Sequence, residues 1–512
     1  MIKIKSSEFL RNTVLFGVTV LLAVTSELLN ILGGSHGEAA VSVILFAIIL
    51  LNIAIFSDLI TNIRRDFPLF VFVSAFNVLL LGRVYVSYFG HYSLLLLLLE
   101  ADSYSNLFVS FRIIMISLFS VYLAYRLAGP IFYKREKAIQ NDGIKSVKTN
   151  SVTPIIRQLS VAVLLVSSIA FFYTLFQTVI NVLKHGYLSS FTNTTQIPSS
   201  ISRLSMFFIP AFAVFLATLP NKKQMKLPLA IYGLYMFTSV FTGRRNTLVT
   251  EALMLLIYFV MRDNLLEPDK RVLKKKTVAY MGILSIVSMY LLQLFAILRA
   301  GIADASKGVG AMIVSFFDSQ GASFRVVIQT VNNLHRFNPA TSYQYLFYPF
   351  ELFVHNNIIT RSLFGLTPII EVQNFQFVQT THNYGHALTY AVDPDRYLSG
   401  GGFGTSYVAE AYVAYGILGV IAVSLMIGFI FRFFSSTLTR SWVVIACCLL
   451  AIKGFVYIPR SLTFIWVTDV FNITYLCFYG AIYLIALFIL KTATHLRVSQ
   501  SAAPPFALEE KL

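Results

Sequence analysis

Apolar residues run through this chain in long blocks separated by short polar links, and the blocks have the length a bilayer demands. A helix that crosses the hydrocarbon needs about 20 mostly apolar residues, and on that measure the sequence predicts about twelve spans. They fall near 10–32, 39–61, 68–90, 107–128, 159–183, 203–220, 227–242, 246–262, 277–300, 407–434, 441–459 and 463–490. The seventh and eighth are short, which suits tilted or broken helices. The long exception is the segment from Gly301 to Ser406. Within it, Ala311–Asn332 and Thr341–Ile359 are aromatic and amphipathic. They predict helices that lie at the interface or pack back onto the bundle. The expected organisation is therefore nine spans in 1–300, an outer segment over 301–406, three spans in 407–490 and a cytoplasmic tail over 491–512, disordered from Ser499 onward. No internal repeat is visible.

Composition strengthens the membrane reading. Hydrophobic residues make up 57% of the chain and charged residues 12%, with a mean hydropathy of +0.73. Soluble domains carry about 25% charged residues, so this chain lacks the means to cover itself with a water-facing surface. The net charge of +17 does not point to nucleic acid, because Lys and Arg fall mostly in short links. Alternate links carry Arg64/Arg65, then Lys134 through Arg157, Lys222/Lys223/Lys226, Lys270 to Lys276, Arg432/Arg440 and Lys491/Arg497. The excess of positive charge on cytoplasmic loops puts both termini inside. The basic N-terminus leads into the first span without a small-residue cleavage site, as a retained helix would. Cys447, Cys448 and Cys477 sit inside apolar runs, with no metal spacing and no disulfide frame.

That orientation leaves basic residues on the outer side that the charge rule does not ask for. They are Arg244 and Arg245 in Thr-Gly-Arg-Arg-Asn, then Arg299, Lys307, Arg325, Arg336, Arg361 and Arg396, with Arg460 and Lys453 in or beside the eleventh span. Ionisable groups at membrane depth are costly and mark sites. Arg244 and Arg245 immediately precede a predicted helix, whose N-terminus offers free N–H groups and the positive end of a dipole. Guanidinium forks add bidentate recognition of phosphate-like oxygens. Snorkelling to headgroups or pairing with Glu251 is the structural alternative. The run Ser399-Gly-Gly-Gly-Phe-Gly repeats the geometry: Gly400, Gly402 and Gly404 lead to Thr405-Ser406, good capping residues, at the start of the tenth span. Two outward helix N-termini with several arginines predict a pocket for a polyanion near the bilayer surface.

The same stretch holds the candidate acid–base groups. His382 and His386 are four apart and would share a face of a helix. No carboxylate completes a zinc motif around them, which leaves structural hydrogen bonding or general acid–base chemistry. Glu410, just inside the tenth span, is either an ion-pair partner of an arginine or a base. Asp318, in Asp-Ser-Gln-Gly-Ala-Ser-Phe-Arg, reads more as a solvated or capping carboxylate.

The run Tyr397-Leu-Ser-Gly-Gly-Gly-Phe-Gly-Thr-Ser-Tyr-Val-Ala-Glu-Ala-Tyr, followed by Tyr415-Gly416 and Leu418-Gly419, resembles the Wzy-type polymerases of O-antigen and capsular polysaccharides. Asp318-Ser-Gln-Gly-Ala-Ser and Thr242-Gly-Arg-Arg look like that family too. The resemblance implies an all-α, GT-C-like polytopic fold acting at the outer face of a bacterial inner or plasma membrane. It implies undecaprenyl-pyrophosphate-linked oligosaccharides as donor and acceptor, no cofactor and no metal, and a chain-length regulator as a protein partner. On this reading Arg244, Arg245, Arg325, Arg396 and Arg460 would stabilise the pyrophosphate leaving group. His382, His386 or Glu410 would take the proton of the attacking sugar hydroxyl. A ligase using the same donor is one alternative. A flippase is another, disfavoured because transporters usually show internal repeats.

Overall fold

The computed structural model describes residues 6–90, 95–142, 151–186, 197–243, 245–267, 271–299 and 308–501. Arg244, Lys307 and the tail beyond Ser501 lie outside the described residues, as do the side chains of Arg245 and Arg299. Every described element is helical. Nine helices among the described residues are long and apolar enough to cross a membrane: Arg11–Leu32, Gly37–Thr61, Ile63–Phe89, Tyr104–Leu127, Thr153–His185, Ser199–Ala217, Tyr407–Phe434, Trp442–Arg460 and Ile465–Thr494. The other three predicted spans are also helices, Lys222–Ser239, Arg245–Asn264 and Lys275–Arg299. The middle one carries Glu251, Arg262 and Asp263 on buried positions, so it is a packed helix with polar partners rather than an apolar rod. Glu251 accepts from Tyr232 (2.7 Å) and pairs with Lys453 (3.5 Å). Those contacts account for Lys453 at membrane depth and for Glu251, which the sequence offered as a partner for Arg244 and Arg245. The last helix does not stop at 490 but runs through Ser501.

The third span changes character midway. Its helix Ile63–Phe76 passes through a π-turn at Asn77–Leu81 before resuming as Gly82–Phe89. Single π-turns inside helices are often found at functional sites. Asn77 donates to Asn52 Oδ1 (2.7 Å) and accepts from the Tyr85 hydroxyl (2.7 Å), which holds the turn. Directly after it, Gly82 lies against the end of helix Val309–Gln320, where an added Cβ would meet the Phe317 carbonyl at 2.7 Å. Gly321 packs as tightly on the Arg83 backbone. Small residues at a crossing let two backbones approach closely, and this one sets the outer segment onto the third span.

The stretch 308–406, which the sequence reading put on the outer side, is a set of short helices rather than two long ones. Ala311–Asn332 divides at Gly321-Ala322 into Val309–Gln320 and Ser323–Asn332. The second is buried against the bundle, with Phe324, Val326, Val327 and Ile328 essentially inaccessible. Phe324 stacks on Phe111 of the span Tyr104–Leu127 with ring centroids 5.0 Å apart. Tyr343–Asn356, Ile358–Phe364, Phe375–Thr380, Tyr384–Val392 and Pro394–Leu398 complete the segment.

At the opposite end of the bundle, Asp66 is fully buried and collects charge from three helices. Arg65 binds it bidentately (2.6 and 2.9 Å), Arg126 donates at 3.0 Å and Tyr125 at 2.7 Å. Arg432, at the end of the span Tyr407–Phe434, lies 3.6 Å away and donates to Glu136 at 2.6 Å. Removing one partner of such a group leaves uncompensated buried charge, at a cost of about 3–5 kcal/mol. Asp66→Ala is therefore expected to lose most monodisperse protein in detergent, whereas replacing the exposed Arg203 is not. Equal yields and melting temperatures would show that the network contributes little.

Candidate active site

On the face where the span Tyr407–Phe434 begins, three arginines line one cavity of about 590 Å³. Arg83 comes from the third span, Arg325 from Ser323–Asn332, and Arg336 from the turn that follows. Glu100, Asp102 and Asp318 share the wall. The Gly82–Gly321 crossing brings Asp318 to Arg83, whose Nε donates to it at 3.2 Å while Nη1 donates to Glu100 at 3.3 Å. Arg325 Nε sits 3.8 Å from Glu100, beyond hydrogen-bond distance. Asp102 takes a positive φ of 62° and is held by Asn332 Nδ2 at 2.8 Å. Arg336 donates to the Ala391 carbonyl. Arg325 Nε and Glu100 Oε2 are buried with no hydrogen-bond partner among the described residues. Buried polar groups are normally satisfied, so these two atoms are a demand that a ligand or water can meet.

The glycine-rich run supports this wall. Gly400 and Gly404 adopt φ of 87° and 78°, a region that costs any residue with a Cβ. Gly401 packs on Arg396, and the Phe403 amide near Gly402 donates to Thr389 Oγ1 at 3.1 Å. Between the two positive-φ glycines Phe403 is presented as a platform. Arg325 and Arg396 both lie over its ring, at 4.8 and 4.9 Å from the centroid, a cation–π arrangement. The glycines thus shape a loop that carries an aromatic ring.

The start of the tenth span differs from the expectation in two ways. Ser406 occupies the N-cap position, yet its side chain makes no capping bond, and its hydroxyl is buried without a partner among the described residues. Among the described residues Glu410 meets no arginine. Its carboxylate is fully buried and accepts three hydrogen bonds: from Thr405 Oγ1 at 2.7 Å, and from the Thr463 amide and hydroxyl at 2.8 and 2.7 Å. A carboxylate in the first turn already answers the positive end of the helix. Glu410 therefore ties the glycine loop, through Thr405, to the loop after Arg460, through Thr463. Arg460 itself donates to the Gln320 carbonyl at 3.2 Å, just before the Gly321 crossing.

The histidines are not on one face of one helix, because Asn383 caps a helix that starts between them, at Tyr384. His382 Nδ1 faces Glu351 Oε2 at 2.9 Å and is about one-third exposed. His386 is inside the helix, against Phe377 and Tyr397. The Tyr397 hydroxyl donates to the Asn374 carbonyl (3.2 Å), leaving its oxygen to accept from His386 Nδ1–H at 3.1 Å. Burial pushes the His386 imidazole down to about 4 from its usual 6.5. Neither histidine lines the arginine cavity. Of the predicted site residues, Arg325 is in the cavity wall. Arg396 shares the Phe403 ring with it, and Arg460 bonds the Gln320 carbonyl at the end of the helix that carries Asp318, but neither lines the cavity. Arg83, Glu100, Asp102 and Glu351 escaped the sequence reading. Arg83 was findable as a charge inside an apolar run, whereas Glu100, Asp102 and Glu351 carry no local signal.

Two outcomes follow. If Glu410 positions the two loops, Glu410→Gln keeps its activity, because a carboxamide accepts from Thr463 and donates to the Thr405 hydroxyl, while Glu410→Ala loses protein stability along with activity. Loss of turnover in a well-folded Glu410→Gln protein would assign it the proton instead. For His386, the unfolded chain takes up a proton between pH 6.5 and about 4 that the folded chain refuses, so stability falls as pH falls through that window. Thermal melts across it should show the slope, and His386→Gln should flatten it.

The sequence model of the O-antigen polysaccharide polymerase Wzy family matches residues 12–493. Neither a curated protein nor a solved structure matches the chain. The match covers the bundle, the outer segment and every residue of the arginine cavity, and the chain belongs to the O-antigen polysaccharide polymerase Wzy family.

Proposed function

We propose that the arginine cavity is where this polymerase holds the pyrophosphate of a polyprenyl-linked oligosaccharide while a second lipid-linked repeat unit attacks its reducing sugar. The observation that carries the reading is the convergence of Arg83, Arg325 and Arg336 in one cavity, with a buried Arg325 Nε left unsatisfied. In the step, a hydroxyl of the incoming repeat unit forms a bond to the anomeric carbon. The bond from that carbon to the pyrophosphate oxygen breaks, and its electron pair leaves with the pyrophosphate. Fixed guanidinium groups lower the energy of that leaving charge without having to reorganise. Arg396 and Phe403 hold Arg325 in place, and Arg460 braces the turn at Gln320. The hydroxyl proton goes to a carboxylate of the same cavity. Asp318 is the most exposed of those that pair with Arg83. His382, backed by Glu351, is the second reading for the base, favoured by its 2.9 Å contact and its exposure.

In this reading the links rich in Lys and Arg are cytoplasmic by the charge rule, the cavity is at the outer leaflet of a bacterial inner membrane, and the chain is a GT-C-like bundle of twelve crossings with both termini cytoplasmic. Arg244 and Arg245 belong to the same outer face in this reading.

The test is an in vitro reaction of the purified full-length protein with undecaprenyl-pyrophosphate-linked repeat units, read as a ladder on a gel. Arg83→Ala and Arg325→Ala are expected to slow elongation by about 10²-fold or more, the scale of losing one preorganised charge donor, with Arg203→Ala unchanged. Asp318→Asn abolishing the ladder while His382→Ala leaves it would assign the base, and the reverse would move it to the His382–Glu351 pair. A full ladder from both arginine variants would overturn the assignment of the cavity.

A further inference from the structure

A second cavity, of about 540 Å³, opens at the end of the bundle opposite the arginine cavity. Its floor is Ala217, Thr218, Ile445 and Tyr479, all buried. Leu476 and Tyr483 at its edge are exposed, so on this side it is open to the surroundings of the spans. The wall is apolar apart from hydroxyls and one charge, Arg440, and no Asp or Glu lines it. The Arg440 guanidinium stacks on Phe433 at 4.0 Å, and its Nε is buried with no hydrogen-bond partner among the described residues. Burial and the like charge of Arg135 both act against its charged form, while Cys448 favours it. Tyr479 is 3% exposed, and its hydroxyl too is without a partner among the described residues. Arg157 adjoins the floor by donating to the Thr218 carbonyl at 2.7 Å, which adds positive charge next to the cavity. Trp442 stands edge-on to Tyr479 with ring centroids 6.2 Å apart, the aromatic type that favours the headgroup level of a bilayer.

We infer that this cavity is a binding site for an anionic diacyl phospholipid, its phosphate head on Arg440 and the Tyr479 hydroxyl and an acyl chain along Leu476, Gly480 and Tyr483. Charge complementarity selects the head: a cationic donor with no carboxylate in the wall suits a net negative phosphate and discriminates against a zwitterionic head, whose own cation would face Arg440. The apolar, laterally open remainder selects a chain over a soluble phosphate. The volume lies in the usual range of a ligand pocket, about 300–1,000 Å³. The site is separate from the arginine cavity and does not depend on the role proposed there.

Native mass spectrometry of the delipidated full-length protein tests it, with phosphatidylglycerol, phosphatidylcholine, undecaprenyl phosphate and glycerol 3-phosphate as probes. One phosphatidylglycerol adduct is expected to persist at collision energies that strip phosphatidylcholine. Losing hydrogen bonds to a charged group should lower its occupancy in Arg440→Gln by about ten-fold. Gly480, where an added side chain meets open space, offers a variant that keeps every charge. Gly480→Phe fills the groove and is expected to lose the adduct with Arg440 in place, so the proposal stays testable if Arg440→Gln does not fold. Glycerol 3-phosphate should not displace the lipid. Equal retention of phosphatidylcholine, preferential retention of undecaprenyl phosphate, displacement by glycerol 3-phosphate, or an adduct that survives Gly480→Phe would each overturn the inference.

Discussion

A carboxylate with no exposure, inside the first turn of a membrane span, is tolerable only where hydrogen bonds replace the water it has lost. Glu410 receives three, and they come from two different stretches of chain. Thr405 ends the loop that presents Phe403, and Phe403 underlies Arg325 and Arg396. Thr463 ends the loop that begins with Arg460, whose guanidinium holds the turn at Gln320 beside the Gly82–Gly321 crossing. The arginine cavity therefore rests on one buried acid that never enters it. Distance from the chemistry and importance to its geometry are compatible here because a buried group with all its bonds made has one position.

The two ends of the bundle use charge differently. Asp66 is fully buried and its charge is met by Arg65, Arg126 and Tyr125, which is what a buried acid needs if it is not to destabilise the fold. Around it, Arg126 Nε, Arg432 Nε and Glu136 Oε1 have no hydrogen-bond partner among the described residues. Around the arginine cavity the charges are more exposed and open into one volume. Arg325 Nε and Glu100 Oε2 have no hydrogen-bond partner among the described residues, and Asp102 is held in a left-handed conformation. Backbone held in that region clusters at sites. The span Tyr407–Phe434 links both ends, with Glu410 at its head and Arg432 at its foot. Its break at Tyr415 and Gly416 (φ 59°) separates a first stretch buried except for Tyr412 from the longer, more exposed remainder.

The candidate site was legible in part. Arg325 and Arg396 were chosen for their charge. Arg325 lines the cavity and Arg396 shares the Phe403 ring with it, whereas of the polar run after Thr380 only Val392 reaches the cavity wall. The glycine run also presents Phe403 beneath Arg325 and Arg396, a role its sequence did not announce. Glycine supplies positive φ wherever it is needed, and nothing local says whether the resulting loop cradles an anion or presents a ring. Spacing failed for the histidines because the four-residue rule holds only within one helix, and Asn383 starts a new one between them. Ser406 has the sequence of a cap without the capping bond, since the acid four residues on occupies the start of the helix.

What the sequence determined by itself is what depends on local composition: a helical membrane protein and the ends of most spans. These follow because a bilayer tests each run of about 20 residues for hydrophobicity, independently of the rest of the chain. Only the tertiary structure decided which polar groups meet. Arg83 finds Asp318 across 235 positions of sequence because two glycines let a short outer helix lie directly on the third span. Glu410 finds Thr463 because the following spans return to its side. Partnership inside a membrane is set by where backbones cross, and the packing of side chains that sets a crossing has no period a single run of sequence displays.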